Sequence, residues 1–290
     1  MAIAPQKMTE VDLVAPLLNV KGKLAKKIPL SLADNVSLRE IRADDLALIT
    51  RLDIEGSSHI RGGVLAFTFE GIPSTTSAND LDRLILAAAF SASVLGEGSI
   101  CLDEIYAIRL PRKVKLEAIH RFRGLAHGTE NAFEIKRSTD VGSAEILYSS
   151  TYNALTAHDP LRLTLSRFCS SLGKSTDEHR LIDLCISLES IFQAQTEISF
   201  QFSLYNSLLA EAEVARREIV FDLLKKLYEQ RSKIVHGVGG IDTVWLAQHW
   251  PDLVRIAKAA IIKKIEFLNQ HNKNQWKTYL RSLALGSDNG

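Results

Sequence analysis

Over the C-terminal half of the chain, apolar residues recur at three- and four-residue intervals, the repeat that lays them on one face of an α-helix. Leu161 to Leu172 forms one such stretch, and Gly173 is positioned to stop it in a left-handed conformation. Ser175-Thr176-Asp177-Glu178 then predicts a capping box: the Ser hydroxyl serves one orphan amide while Glu178 reaches back to another. The helix that starts there extends to about Phe192. Ser199 to Ala212 predicts a third helix, and Val214 to His236 the longest, closed by Gly237. Asp242 to Gln248 reads as a short piece before Pro251 opens a helix to about Gln270, and Trp276 to Leu285 forms the last. Short connections imply antiparallel neighbours, hence a bundle.

The N-terminal half has a mixed pattern. Val64 to Glu70 and Ser99 to Leu110 are rich in β-branched and aromatic residues, with Phe133 to Lys136 a weaker strand. Asp80 to Val94 and Ala144 to Leu155 read as helices, and Leu38 to Leu52 includes another in this reading. The pattern changes at Ala157-His158-Asp159-Pro160, which places an α+β domain over residues 1–157 and an all-α bundle over residues 158–290.

One charge interrupts the pattern. Val220, Leu223, Leu224, Leu227, Tyr228, Ile234 and Val235 fall on one stripe of the long helix, and Arg231 falls in its middle. Burying an unpaired guanidinium costs several kcal/mol, so the position demands a compensating anion. Glu189 lies on the flank of the stripe made by Leu181, Cys185, Leu188 and Phe192 and is the favoured partner; Asp183 is on the opposite face. The pair could simply fix helix register. His236 follows five residues later in the last turn, where the helix macrodipole favours the imidazolium; it is either an acid/base group or a plain C-terminal cap.

Composition narrows the class of protein. The chain has 290 residues, 46% hydrophobic and 24% charged, which excludes disorder, collagen and coiled coil. Lys+Arg 35 against Asp+Glu 34 leaves no bulk positive field, so nucleic-acid contact would need local basic patches. Cys101, Cys169 and Cys185 suggest neither a disulfide framework nor a zinc site and fit a reducing cytosol. The longest apolar run, Leu84 to Leu95, is interrupted by Ser and too short for a bilayer, and no signal-peptide pattern opens the chain, so a cytoplasmic protein without membrane association is expected.

Arg-x4-His spacing alone carries little information, but its context carries more. The segment Ala215 to Gly237, ARREIVFDLLKKLYEQRSKIVHG, is preceded by HRLIDLCISLESIF, ending at Phe192. Together these resemble the HEPN superfamily, most closely its Apea-like group, over about the last 130 residues. Three features carry the likeness: Leu188, Glu189 and Phe192 on one helix; Leu223, Leu224, Leu227 and Tyr228 on another; and Arg231 to Gly237 at its end. The resemblance implies a helical bundle that forms a homodimer, bringing two Arg-x4-His segments into one cleft. It further implies a metal-independent endoribonuclease without a cofactor, of the kind found as toxins or antiphage-defence effectors, with an antitoxin or defence-system partner. Arg231 would then stabilise charge on the scissile phosphate, and His236 would act as general base toward the ribose 2′-hydroxyl, as general acid toward the leaving oxygen, or both. Glu189, Ser232 and Tyr228 would support them. Ser232 departs from the larger Asn or Asp that many ribonuclease members carry after the arginine. The alternative is a non-catalytic interaction module in which Arg231 and Glu189 are a structural pair.

Other constellations carry less. Gly173-Lys174-Ser175 resembles the end of a phosphate-binding loop, but Phe168 stands where a glycine is required. Arg109 to Arg123 is locally basic, as are the C-terminal helices through Lys258, Lys263, Lys264, Lys273, Lys277 and Arg281; a solvated helix face is the commoner origin of each. His120 and His127 lack companions for a metal. Trp245, Trp250 and Trp276 are expected to pack the bundle or its dimer interface.

Overall fold

The computed structural model of the chain describes residues 10–16, 30–41, 65–73, 76–97, 104–109, 116–121, 134–135, 141–174, 176–192 and 197–286. Two compact units divide the chain, residues 1–149 and 150–290. An α+β unit thus precedes a helical one, but the division runs inside a helix, not after Ala157. That helix contributes Thr151, Ala154 and Leu155 to the core, and the Ser150 carbonyl accepts a hydrogen bond from Asn269 at 2.9 Å. Burial of its second half draws it into the helical unit.

In the first unit, β1 (Glu10–Pro16), β2 (Leu30–Ala33), β3 (Val36–Glu40), β4 (Leu65–Pro73), β6 (Glu104–Arg109) and β7 (Leu116–Arg121) form one antiparallel sheet in the order β2-β3-β4-β1-β6-β7. A short ladder pairs β5 (Gly96–Glu97) with β8 (Glu134–Ile135). Leu13 sits between Phe69 and Ala107, placing β1 and β4 at the centre. Ala66, Phe67, Thr68 and Phe69 are all buried, as are Leu13, Val14 and Ala15, so both faces are covered there. Helix α1 (Ala78–Leu95) starts at Ser77, whose hydroxyl accepts from the Asp80 amide at 3.2 Å.

The expected core strand at Val64 to Glu70 is present as β4. Of the stretch Leu38 to Leu52, expected to include a helix, the first residues belong to β3, where Val36 and Leu38 alternate inward, and the remainder lies outside the described residues. Within the basic segment Arg109 to Arg123, Arg109 ends β6 and residues 116–121 form β7, a strand in place of the expected helix face; the other residues lie outside those described. His120 belongs to β7, whereas His127 and Cys101 lie outside the described residues.

The helical unit contains the end of α2 (Val141–Ala157), then α3 (Leu161–Gly173), α4 (Asp177–Phe192), α5 (Ile198–Ala210), α6 (Val214–His236), α7 (Thr243–Gln270) and α8 (Trp276–Ala284). Helix α4 packs against α3, α5, α6 and α7 and so occupies the centre. Three local expectations are corrected. Gly173 is the last helical residue, and extended Lys174 (φ −71°) ends α3 without a left-handed stop. The cap of α4 is Thr176, whose hydroxyl accepts from the His179 amide at 3.4 Å and pairs with its ring Nδ1 at 2.9 Å, because the helix begins at Asp177; Ser175 lies outside the described residues. Finally, α7 is continuous through Pro251. Pro251 and Ala247, four residues earlier, are both exposed, so the carbonyl that loses its donor is within reach of water.

Candidate active site

Helix α6 ends as its sequence dictates. Gly237 adopts φ +65°, its amide bonds the Ile234 carbonyl at 3.2 Å, and the Val238 amide bonds that of Lys233 at 3.0 Å. This paired closure satisfies the last carbonyls with backbone donors. The imidazole of His236 is therefore not needed as a cap. It is exposed, and among the described residues its ring has no hydrogen-bond partner. Gln230, buried one turn before Ile234, accepts from the Asp242 amide at 3.0 Å and ties the following loop back to α6.

The buried stripe of α6 consists of Val220, Leu224, Leu227 and Gln230. Ile234 is only half-buried and Val235 is 52% exposed, so the stripe runs out before the helix does. Arg231 lies on its edge, with Nη2 3.5 Å from Glu189 Oε1 across the α4–α6 contact, and each side chain retains 24% exposure. The expected pair is therefore formed, and it keeps one side toward solvent. Asp183 is occupied elsewhere: its carboxylate accepts from Arg167 at 2.7 Å and Ser170 at 2.8 Å, with Lys174 at 3.9 Å, fastening α3 to α4.

The Arg231–Glu189 contact is loose. Charge-assisted N–H···O bonds close to roughly 2.7–2.9 Å, and this one does not. Arg231 Nε and Glu189 Oε1 are both buried atoms without a hydrogen-bond partner. The guanidinium carbon also lies 5.5 Å from the ring of Tyr228. Burial pushes the Glu189 carboxyl above the ordinary range, and the Arg231 charge opposes that shift. The Tyr228 phenol is raised by burial, then by the nearby Glu189 charge. One turn before Glu189, burial raises the Cys185 thiol, with Glu189 adding to the effect. Ser232 is half-buried beside Arg231.

Glu189, Tyr228, Arg231 and Ser232 are thus neighbours. His236 stands apart within the subunit, about 7.5 Å further along the axis and about 140° around it from the arginine. Its sequence neighbours Val235 and Val238 are exposed as well, at 52% and 69%. No group of three His, Cys, Asp or Glu able to hold a metal occurs among the described residues.

Lys264 was missed as an inward-facing cation. It belongs to no basic surface: 1% exposed, it donates through Nζ to the carbonyls of Ile191 at 2.8 Å and Ser190 at 3.2 Å. Trp276 Nε1 donates to the same Ile191 carbonyl at 2.7 Å. These bonds cap the last turn of α4, directly after Glu189. Trp245 and Trp276 are buried in the bundle, and Trp250 carries Arg180 over its ring at 4.1 Å. No helix among the described residues is long and apolar enough to cross a membrane. No known protein family, curated protein or solved structure matches the chain.

Proposed function

We propose that the protein is a metal-independent endoribonuclease of HEPN type, acting as a homodimer through its helical unit. The observation that carries this reading is the state of two side chains on α6. Arg231 is a partly open cation with an incompletely bonded guanidinium, and His236 is an exposed imidazole released from capping by Gly237 and Val238. A guanidinium suits the spreading charge of a phosphorane-like transition state, and an imidazole suits proton transfer near neutral pH. Because the two point to different sides of α6, a cleft containing both is best built from Arg231 of one subunit and His236 of the other. Exposed Val235 and Val238, beside His236 in the chain, supply apolar surface for that contact. Products would be a 2′,3′-cyclic phosphate and a 5′-hydroxyl, and DNA would resist cleavage. A toxin or antiphage-defence role, with an antitoxin or defence-system partner, follows from the resemblance alone.

The Arg231–Glu189 pair itself favours a second reading, a binding module in which the pair holds α4 against α6. Labelled RNA incubated with the purified protein, with and without EDTA, separates the two. Chelator-resistant cleavage that disappears in folded Arg231→Ala and His236→Ala variants supports the nuclease. Dimeric, folded protein that leaves a broad set of RNAs intact supports the module.

A further inference from the structure

Two orphan atoms belong to the side chains that meet in the α4–α6 contact. Arg231 Nε is a donor without an acceptor, and Glu189 Oε1 is an acceptor without a donor. The nearest charged atoms of the two side chains, Arg231 Nη2 and Glu189 Oε1, lie 3.5 Å apart without a hydrogen bond, so Oε1 stays unmet, and Nε finds no acceptor either. Leaving such groups buried and unmet costs free energy that folding alone does not recover, and unsatisfied groups in a native structure mark strain, chemistry or a missing ligand. Each side chain is about one quarter exposed, so the pair borders solvent on one side.

The complement of this arrangement is a ligand carrying an acceptor and a donor on adjoining groups. A ribonucleotide linkage has that form: a non-bridging phosphate oxygen accepts, and the neighbouring 2′-hydroxyl donates. A deoxyribonucleotide linkage offers only the acceptor. We infer that Glu189 is a catalytic residue, binding the ribose 2′-hydroxyl and accepting its proton while Arg231 holds the adjacent phosphate. This rests on the ribonuclease reading and divides the labour left open there, with Glu189 as base and His236 as acid.

The step balances. The 2′-oxygen bonds to phosphorus as its proton passes to the Glu189 carboxylate, and the bond from phosphorus to the 5′-oxygen breaks. That oxygen takes a proton from the His236 imidazolium, and exchange with water resets both groups. The entering phosphate also replaces Glu189 as the partner of the guanidinium, freeing the carboxylate at the moment it is needed. The elevated proton affinity that burial gives Glu189 suits this role, since an ordinary carboxylate is a weaker base.

Two variants test the assignment. Glu189→Gln keeps an acceptor oxygen but no basic carboxylate, and Glu189→Leu has neither. Cleavage is measured in the full chain, and binding in a His236→Ala background that leaves the oligonucleotide intact. Fluorescence anisotropy compares a labelled RNA with DNA of the same sequence. Glu189→Gln should slow cleavage about 100-fold or more while keeping the preference for RNA over DNA, and Glu189→Leu should lose that preference. Cleavage by Glu189→Gln within about threefold of the unsubstituted protein overturns the inference, even if Arg231 and His236 prove essential. If the unsubstituted protein cleaves no RNA, the nuclease reading fails and the binding arm decides alone. A ribose preference that vanishes in Glu189→Leu then upholds the 2′-hydroxyl contact, and an absent or unchanged preference overturns it. Should Glu189→Leu fail to give a native circular dichroism spectrum, Glu189→Gln decides by the same criterion in cleavage.

Discussion

Lys264 on α7 reaches the carbonyl of Ile191, 2.8 Å away, in the last turn of α4, and is 99% buried in doing so. A cation at a helix C-terminus complements the macrodipole and satisfies carbonyls that have no donor in their own helix. The same burial penalises the charge and lowers the ammonium pKa to about 8. Immediately before the capped carbonyls stands Glu189, so the anchor of α7 and the partner of Arg231 share one helical turn.

Stability should rise with pH through the range set by that lysine. Between about 8 in the folded chain and 10.5, the ordinary value, the unfolded state binds the proton and the folded state does not. Folding therefore gains as pH increases across this window, by at most on the order of 3 kcal/mol. Urea unfolding from pH 7.5 to 10.5 should show the rise, and Lys264→Met should flatten it. An equal slope in both proteins would assign the effect to other groups.

Glu189 titrates in the opposite sense. Its raised pKa means that the folded chain takes up this proton at a higher pH than the unfolded chain does, so ionisation above that window costs stability. Arg231 restrains the shift, and Arg231→Gln should leave burial unopposed. Carbon-detected NMR of the Glu189 carboxyl should find its midpoint higher in the variant; a lower midpoint contradicts the assigned electrostatics.

Asp183→Ala should be more damaging than any change to the Arg231 pair. The buried carboxylate holds Arg167 and Ser170; its loss strands the buried Ser170 hydroxyl between α3 and α4 and frees the half-exposed Arg167 to solvent. A destabilisation of about 2–4 kcal/mol is expected in denaturant titration. The looser Arg231–Glu189 pair should show a coupling of about 1 kcal/mol or less in a double-mutant cycle.

Gly237→Ala tests the geometry that releases His236. No atom lies within 4 Å of an added Cβ, so the cost comes from the backbone at φ +65° alone, about 1 kcal/mol. Thermal unfolding reads the loss. If the imidazole depends on this turn for its position, cleavage should fall by more than the small unfolded fraction explains.

Local chemistry made much of the helical unit legible. The span Val214–His236 follows from an apolar repeat and a glycine that takes the left-handed conformation without steric cost, and both are properties of neighbouring residues. Arg231 announced its need for an anion because it interrupts that repeat. Lys264 carries the same signal on α7 among Ala257, Ile261 and Leu268, where it is read only by extending the test to every cation in an apolar stripe. Strands β1, β2 and β7 offered little, since a short strand is stabilised by partners remote in sequence.

What the amino-acid order determined was where most of the helices run and that Arg231 would need an anion, with Glu189 the favoured one, because both depend on residues three or four apart. Tertiary packing decided the rest: Lys264 turned inward onto the end of α4, Thr176 as the cap, a helix carried through Pro251, and a loose Arg231–Glu189 contact where a tight one was open to the chain. Those outcomes depend on the relative placement of helices brought together by packing, which no local periodicity encodes.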